Sequence, residues 1–304
     1  MQKLEITKFR FVFVLPLVVA SIFWSLTVDA YPRKEHTDSI EWFREGADSG
    51  SAEAQFHLGT IYDRGKGVPR DYAEAAMWYL KAANQGHAAA QYNLGGLYLL
   101  GQGVQRDFAE AAKWFRKAAD QGHVAAQYNL ALLYARGEGV PQDYDEAVKL
   151  YRAAGEGGNA VAQYNLAIMY EQGRGVPQDY GKAIEWYRKA AELGYAAASN
   201  NLGIAYAEGH GVPQDYAEAV NWYRKAAEHG YPIAQSNLAL MYEQGRGVAQ
   251  DSVRAYAWID VAATSGYHGA MAMRAAMEAR LSKEQIAEGR AIARELITRI
   301  RAGR

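Results

Sequence analysis

The chain has 304 residues, half of them hydrophobic and 22% charged, which is a composition that folds and buries a core. Its 33 Lys and Arg stand against 34 Asp and Glu, and no stretch concentrates basic residues, so a nucleic-acid footprint is excluded as the main role. The absence of cysteine excludes disulfides, thiol nucleophiles, thiolate metal sites and a lipid-modified N-terminal cysteine.

The first element is an export signal. Lys3, Lys8 and Arg10 precede the apolar run from Phe11 to Leu26, and the small-residue pattern Val28, Asp29, Ala30 follows. This order predicts a secretory signal over residues 1–30, cut between Ala30 and Tyr31. The alternative is an uncleaved inner-membrane anchor over residues 11–28, since the run is long for a signal core and short for a span. Either way the folded part is expected outside the cytoplasm, in the periplasm.

Beyond the signal, one period governs the chain. Trp42, Trp78, Trp114, Trp186, Trp222 and Trp258 lie on a ladder of 36 residues, with Leu150 on the missing rung. The same step relates Asp71, Asp107, Asp143, Asp179, Asp215 and Asp251, and the glycine pairs from Gly65/Gly67 to Gly245/Gly247. A fixed period of this length means stacked supersecondary units, six of them over residues 51–267.

Within one unit, AVAQYNLAIMYEQ (Ala160 to Gln172) has apolar residues at helical spacing and stops at Gly173, which predicts a first helix, A, ended by a left-handed glycine. Asp179 is placed to cap a second helix, B, YGKAIEWYRKAAEL. Four of the Asp caps have Glu three residues on (Asp71/Glu74, Asp107/Glu110, Asp143/Glu146, Asp215/Glu218), a spacing that predicts reciprocal capping boxes. Alanine pairs such as Ala118/Ala119 let helices approach closely, and burial comes mainly from stacking unit on unit.

The ends depart from this pattern. Residues 31–50 contain only the second half of a unit, with Trp42 in register, and predict an N-terminal capping helix. Residues 268–304 predict a further A-like helix and then a closing helix begun by a Ser282/Gln285 capping box, with Ile286, Ile292, Leu296 and Ile300 on its inner face. Gly289 interrupts that last helix without a reason visible in the sequence.

The run AQYNLGxxYxxGxGVxxD followed by AxxWYRKAAxxG, as in Ala90 to Asp107 and Ala111 to Gly122, resembles the Sel1-like repeat family, relatives of tetratricopeptide repeats. The resemblance implies an all-α fold, a right-handed α-solenoid of helix-turn-helix repeats, with a concave surface that binds other proteins.

Candidate chemistry is sparse. A phosphate-binding Gly-x-Gly needs a strand before it, and here a helix precedes all six copies, so GRGVPQDY (residues 173–180) reads as a corner. No serine stands in a nucleophile-elbow context and no histidines have ligand spacing; His87 and His123 share a register position that Tyr195 and Tyr231 occupy elsewhere. No catalytic residue, metal site or cofactor is expected. Some Sel1-like proteins are β-lactamase-like, but those are rich in cysteine, which makes a hydrolase the weakest reading here.

A binding surface is better sought on helix A. By similarity to tetratricopeptide repeats that helix lines the concave side, where Asn93, Asn129, Asn165, Asn201 and Asn237 form a column beside Leu132, Ile168, Ile204 and Leu240, with Arg64 and Arg136 further along. Amides could pair with the backbone of an extended peptide while the apolar row takes side chains; equally, each Asn could bond to the neighbouring unit and hold the stack. The function expected is a non-catalytic scaffold or regulator in the cell envelope with a protein or peptide partner. The alternative is an envelope component contacting peptidoglycan or polysaccharide machinery.

Overall fold

A computed structural model describes residues 36–303, so the signal over residues 1–30 and the anchor over 11–28 lie outside the described residues. The described residues form helices without strands. A first helix, α1 (His36–Asp48), precedes six hairpins: α2/α3 (Ala52–Arg64, Tyr72–Asn84), α4/α5 (Ala88–Leu100, Phe108–Ala119), α6/α7 (Val124–Arg136, Tyr144–Glu156), α8/α9 (Ala160–Gln172, Tyr180–Glu192), α10/α11 (Ala196–Glu208, Tyr216–Glu228) and α12/α13 (Ser252–Thr264 following Pro232–Gln244). Two helices close the order, α14 (His268–Glu278) and α15 (Lys283–Ala302). From α1 to α14 each helix packs on the next in the chain, the nearest-neighbour pattern of an α-solenoid.

The loop inside each hairpin is built by its two glycines and its aspartate. Gly173 ends α8 at φ 65°, in the left-handed region, and its five equivalents do the same for their helices. The second glycine has positive φ too, and it seats the loop on the previous unit: a Cβ on Gly139 would stand 2.2 Å from the carbonyl carbon of Phe108, the first residue of α5. Asp179 then caps α9 by accepting from the Lys182 N–H at 2.9 Å.

The reciprocal half of the expected boxes does not form at these aspartates. The backbone N–H of Asp71, Asp107, Asp143 and Asp215 donates instead to the carbonyl nine residues back, on Tyr62, Tyr98, Tyr134 and Tyr206, at 2.8–3.0 Å. That bond closes the loop onto helix A and leaves the glutamates without the cap N–H. The full box occurs where no such loop competes, at Ser282 and Gln285 ahead of α15.

The tryptophan ladder is the stacking seam. Trp78, Trp114, Trp186 and Trp258 are buried, each against the unit before it, whereas Trp42 on α1 is 55% exposed. At the other end α15 crosses back onto α13. The close approach explains Gly289, because a Cβ there would meet the Tyr256 ring at 2.6 Å. Arg290, Tyr256 and Glu278 lock the crossing, with Tyr256 donating to Glu278 at 2.7 Å and Arg290 to Glu278 at 2.9 Å.

Candidate interaction surface

Most polar residues at repeated positions are used to hold the units together. Gln55, Gln91, Gln163 and Gln235 are buried on helix A and donate to carbonyls at the end of the preceding B helix (Ala47, Ala83, Gly155 and Ala227) at 2.8–3.1 Å. Such bonds satisfy C-terminal carbonyls that a helix cannot satisfy by itself. A second tie runs from an arginine on helix B to a tyrosine eighteen residues on, as in Arg152 to Tyr170 at 2.6 Å and Arg188 to Tyr206 at 3.2 Å.

The histidines belong to the same scaffolding. His87 and His123 sit at the N-caps of α4 and α6, where Nδ1 accepts from the N–H of Ala90 and of Ala126 at 3.2 Å. The rings stack on Phe56 and Tyr92 at centroid distances of 4.5 and 4.7 Å. Accepting through Nδ1 places the proton of neutral His87 on Nε2, which faces Glu53 at 3.1 Å. Asn159 takes the same capping role for α8, while Tyr195 and Tyr231 at this register make no side-chain cap. Among the described residues no group of three or more His, Asp and Glu is placed to hold a metal ion.

The asparagine column lies where unit meets unit. Asn237 donates to Asn200 of the preceding unit at 3.0 Å. Asn129 lies within reach of Tyr92, and Asn201 within reach of Tyr164 and Tyr187; burial raises these phenols' pKa values, and the amides oppose that rise. Asn93 stands in the same relation to Tyr79. The column thus sits between an aromatic residue or asparagine on the previous helix A and the aromatic of the intervening helix B.

Exposure divides the candidates. Asn93, Asn129, Asn201 and Asn237 are half-buried, as are Ile168 and Ile204, and Arg64 is exposed. Leu132 and Leu240 are buried in the core, and Asn165 is buried with both amide atoms unpaired. Arg136 is half-buried, with Nη1 3.9 Å from Glu138. The first row of the same face, Ala89, Ala125, Val161, Ala197 and Ile233, is half-buried, with Glu53 exposed ahead of it.

The residue at the centre of each B helix, Tyr79, Phe115, Tyr151, Tyr187, Tyr223 and Ile259, reads from the sequence as packing between helices, yet it differs most in its surroundings. Tyr79 donates to Asp63 at 3.1 Å, and Tyr187 donates to Glu171. Tyr151, in the same register, faces Ala135 and has no partner; neither has Tyr128, whose ring centroid is 6.1 Å from that of Tyr151. In sequence the two positions pair as Asp63/Tyr79, Leu99/Phe115, Ala135/Tyr151, Glu171/Tyr187, Ala207/Tyr223 and Glu243/Ile259, so an acid does not always accompany the tyrosine.

A family model described as Sel1 repeat matches six consecutive stretches, residues 52–87, 88–123, 124–159, 160–195, 196–231 and 232–267. Among solved structures, the chain is similar to a protective antigen present in uropathogenic Escherichia coli strains and displaying an SLR fold. Identity is 36% and the TM-score 0.78, over 85% of this chain and 56% of that one. It is also similar to a Sel1 repeat protein from Oxalobacter formigenes, at 33% identity and TM-score 0.63, over 74% of this chain and 96% of that one. The chain spans about half the length of the Escherichia coli protein. No curated protein matches it.

Proposed function

This chain belongs to the Sel1-repeat family, and we propose that it is a non-catalytic adaptor or regulator of the cell envelope that holds a protein or peptide partner against its helix A face. Repeats of this family generally mediate protein–protein interactions. One observation carries the reading to this face. Glycines, aspartates, glutamines and tryptophans at repeated positions are consumed in turns, caps and stacking, whereas on helix A the rows flanking the constant asparagines change in size from unit to unit, from Ala89 to Ile233 and from Gly96 to Ile168. A surface that varies on a constant scaffold is what recognition of one partner requires.

The amides of Asn129 and Asn201 beside Ile168 and Ile204 offer alternating polar and apolar contacts suited to an extended segment. The test replaces Asn129 and Asn201 by Ala, leaving buried Asn165 in place so that the fold is kept. Loss of partner capture from periplasmic extract, with an unchanged circular-dichroism melt, is expected; full capture by the folded variant refutes this face. Export rests on the basic, apolar and small residues of positions 3–30, and the intact mass of the exported chain should begin at Tyr31.

A further inference from the structure

Units three and four meet at a corner where three polar side chains are sealed without partners, beside the Arg136–Glu138 pair, in which Glu138 Oε2 is also buried without a hydrogen bond. Tyr128, Tyr151 and Asn165 are each at least 97% buried, and the two hydroxyls and both amide atoms have no partner. Asn165 lies within reach of both phenols without closing a hydrogen bond to either, and Arg136 is near enough to act on both electrostatically. Burial pushes Tyr128 up to about 12 and Tyr151 higher still, so both hydroxyls keep their protons and act as donors.

Other units show what such a hydroxyl pairs with. In the first and fourth units the helix B tyrosine donates to a carboxylate of its own hairpin, Asp63 or Glu171. In the second, Leu99 replaces the acid and Phe115 removes the hydroxyl, so nothing is left over. The third unit keeps the tyrosine but has only the Ala135 methyl where the carboxylate belongs. Tyr223 faces Ala207 in the fifth unit as well, but its hydroxyl is not among the sealed, unpartnered ones. Buried donors left unmatched lose the hydrogen bonds that water gave them, so an acceptor from outside has a large gain to make.

We propose that this corner binds a carboxylate carried by a ligand, which takes the place beside Tyr151 that Glu171 fills beside Tyr187. A carboxylate accepts only, through two oxygens, which suits the Tyr128 and Tyr151 hydroxyls, the Asn165 NH2 and the Arg136 guanidinium together. Arg136 is the member of this group that solvent reaches, with 20% of its side chain exposed. The proposal rests on the reading of helix A as the partner-binding face and adds to it the chemistry of one anchor. Two sources share that chemistry, a peptide's free C-terminus and an Asp or Glu side chain.

The experiment follows the thermal midpoint of the full chain in sodium acetate against sodium chloride at equal ionic strength. Saturable stabilisation by acetate is expected in the wild type. It should disappear in Ala135→Glu, which supplies the carboxylate internally, and in Tyr151→Phe, which copies the second unit and so should fold. Equal acetate effects in the wild type and both variants, or none in the wild type, overturn the site. Pentaglycine with a free or amidated C-terminus, and a blocked peptide with one central Glu, then identify the source: stabilisation only by free pentaglycine means a terminus, and only by the Glu peptide means a side chain. Stabilisation by the amidated peptide equal to that by the other two overturns carboxylate recognition. A partner captured equally well by wild type and Ala135→Glu also overturns this anchor while leaving the helix A face intact as the binding surface. Loss of capture in the Asn129 and Asn201 variant alone marks that face without the corner.

Discussion

A Cβ added to Gly103 would stand 2.2 Å from the carbonyl carbon and oxygen of Tyr72, the first residue of the preceding unit's second helix. Gly101, two residues earlier in the same loop, has the same left-handed backbone but would meet chiefly the Arg106 side chain, at 3.0 Å. The first glycine ends a helix, and the second makes room for the neighbouring unit. Gly101→Ala should therefore cost about 1 kcal/mol, the ordinary penalty of a left-handed alanine. Gly103→Ala should cost clearly more, because two backbones must separate. Urea unfolding of the two variants compares them directly, and equal losses would refute the distinction.

The aspartate caps and the glutamates that follow them should separate in the same kind of measurement. Asp107 accepts from the N–H groups of Ala109 and Glu110 at 2.8 and 3.0 Å, so Asp107→Ala should lose about 1 kcal/mol. Glu110 finds the cap N–H already donated to Tyr98 and instead pairs with exposed Lys113. Its replacement by Ala should cost under about 0.5 kcal/mol. A loss at Glu110 as large as that at Asp107 would show that the box forms in solution.

Two tyrosines in one register should respond in opposite ways to loss of the hydroxyl. Tyr187→Phe leaves the Glu171 carboxylate without its donor and should cost about 1–2 kcal/mol. Tyr151→Phe removes a buried hydroxyl that has no partner and should be neutral or stabilising in the absence of ligand. Thermal denaturation in chloride buffer reads both. Similar losses at the two positions would contradict the difference in their surroundings.

Acid should loosen the joint at α6. Burial lowers the pKa of His123 below its ordinary 6.5, and the ring caps α6 through an unprotonated Nδ1. The neutral form is the one the fold prefers, so its contribution is intact above pH 6.5 and is lost as the pH falls through the lower folded value. His123→Asn, which copies the cap of Asn159, should flatten this part of the stability–pH curve without abolishing the cap. An unchanged slope between pH 7 and pH 5, compared by urea unfolding, would rule the ring out as its source.

The period of 36 residues, the helix ends at the glycines and aspartates, and the closing Ser282/Gln285 box were legible in the sequence because they depend on local chemistry. A left-handed glycine or a capping carboxylate acts within a few residues of itself, and six copies of the same signal leave little ambiguity. The asparagine column was visible as a pattern too, but its surroundings were not. Whether Asn165 is sealed and Asn129 half-open depends on aromatic residues from two other helices, one 37 residues away and one 14.

Only the tertiary structure decided the rest. It showed the cap N–H groups spent on closing loops, where the spacing alone suggested capping boxes. It turned Gly289 from an interruption into the point where α15 crosses α13. It also revealed that one unit buries its hydroxyl without a carboxylate, because a hydrogen bond between helices is settled by which side chains meet across a gap, and the order of residues along one helix does not say what it will meet.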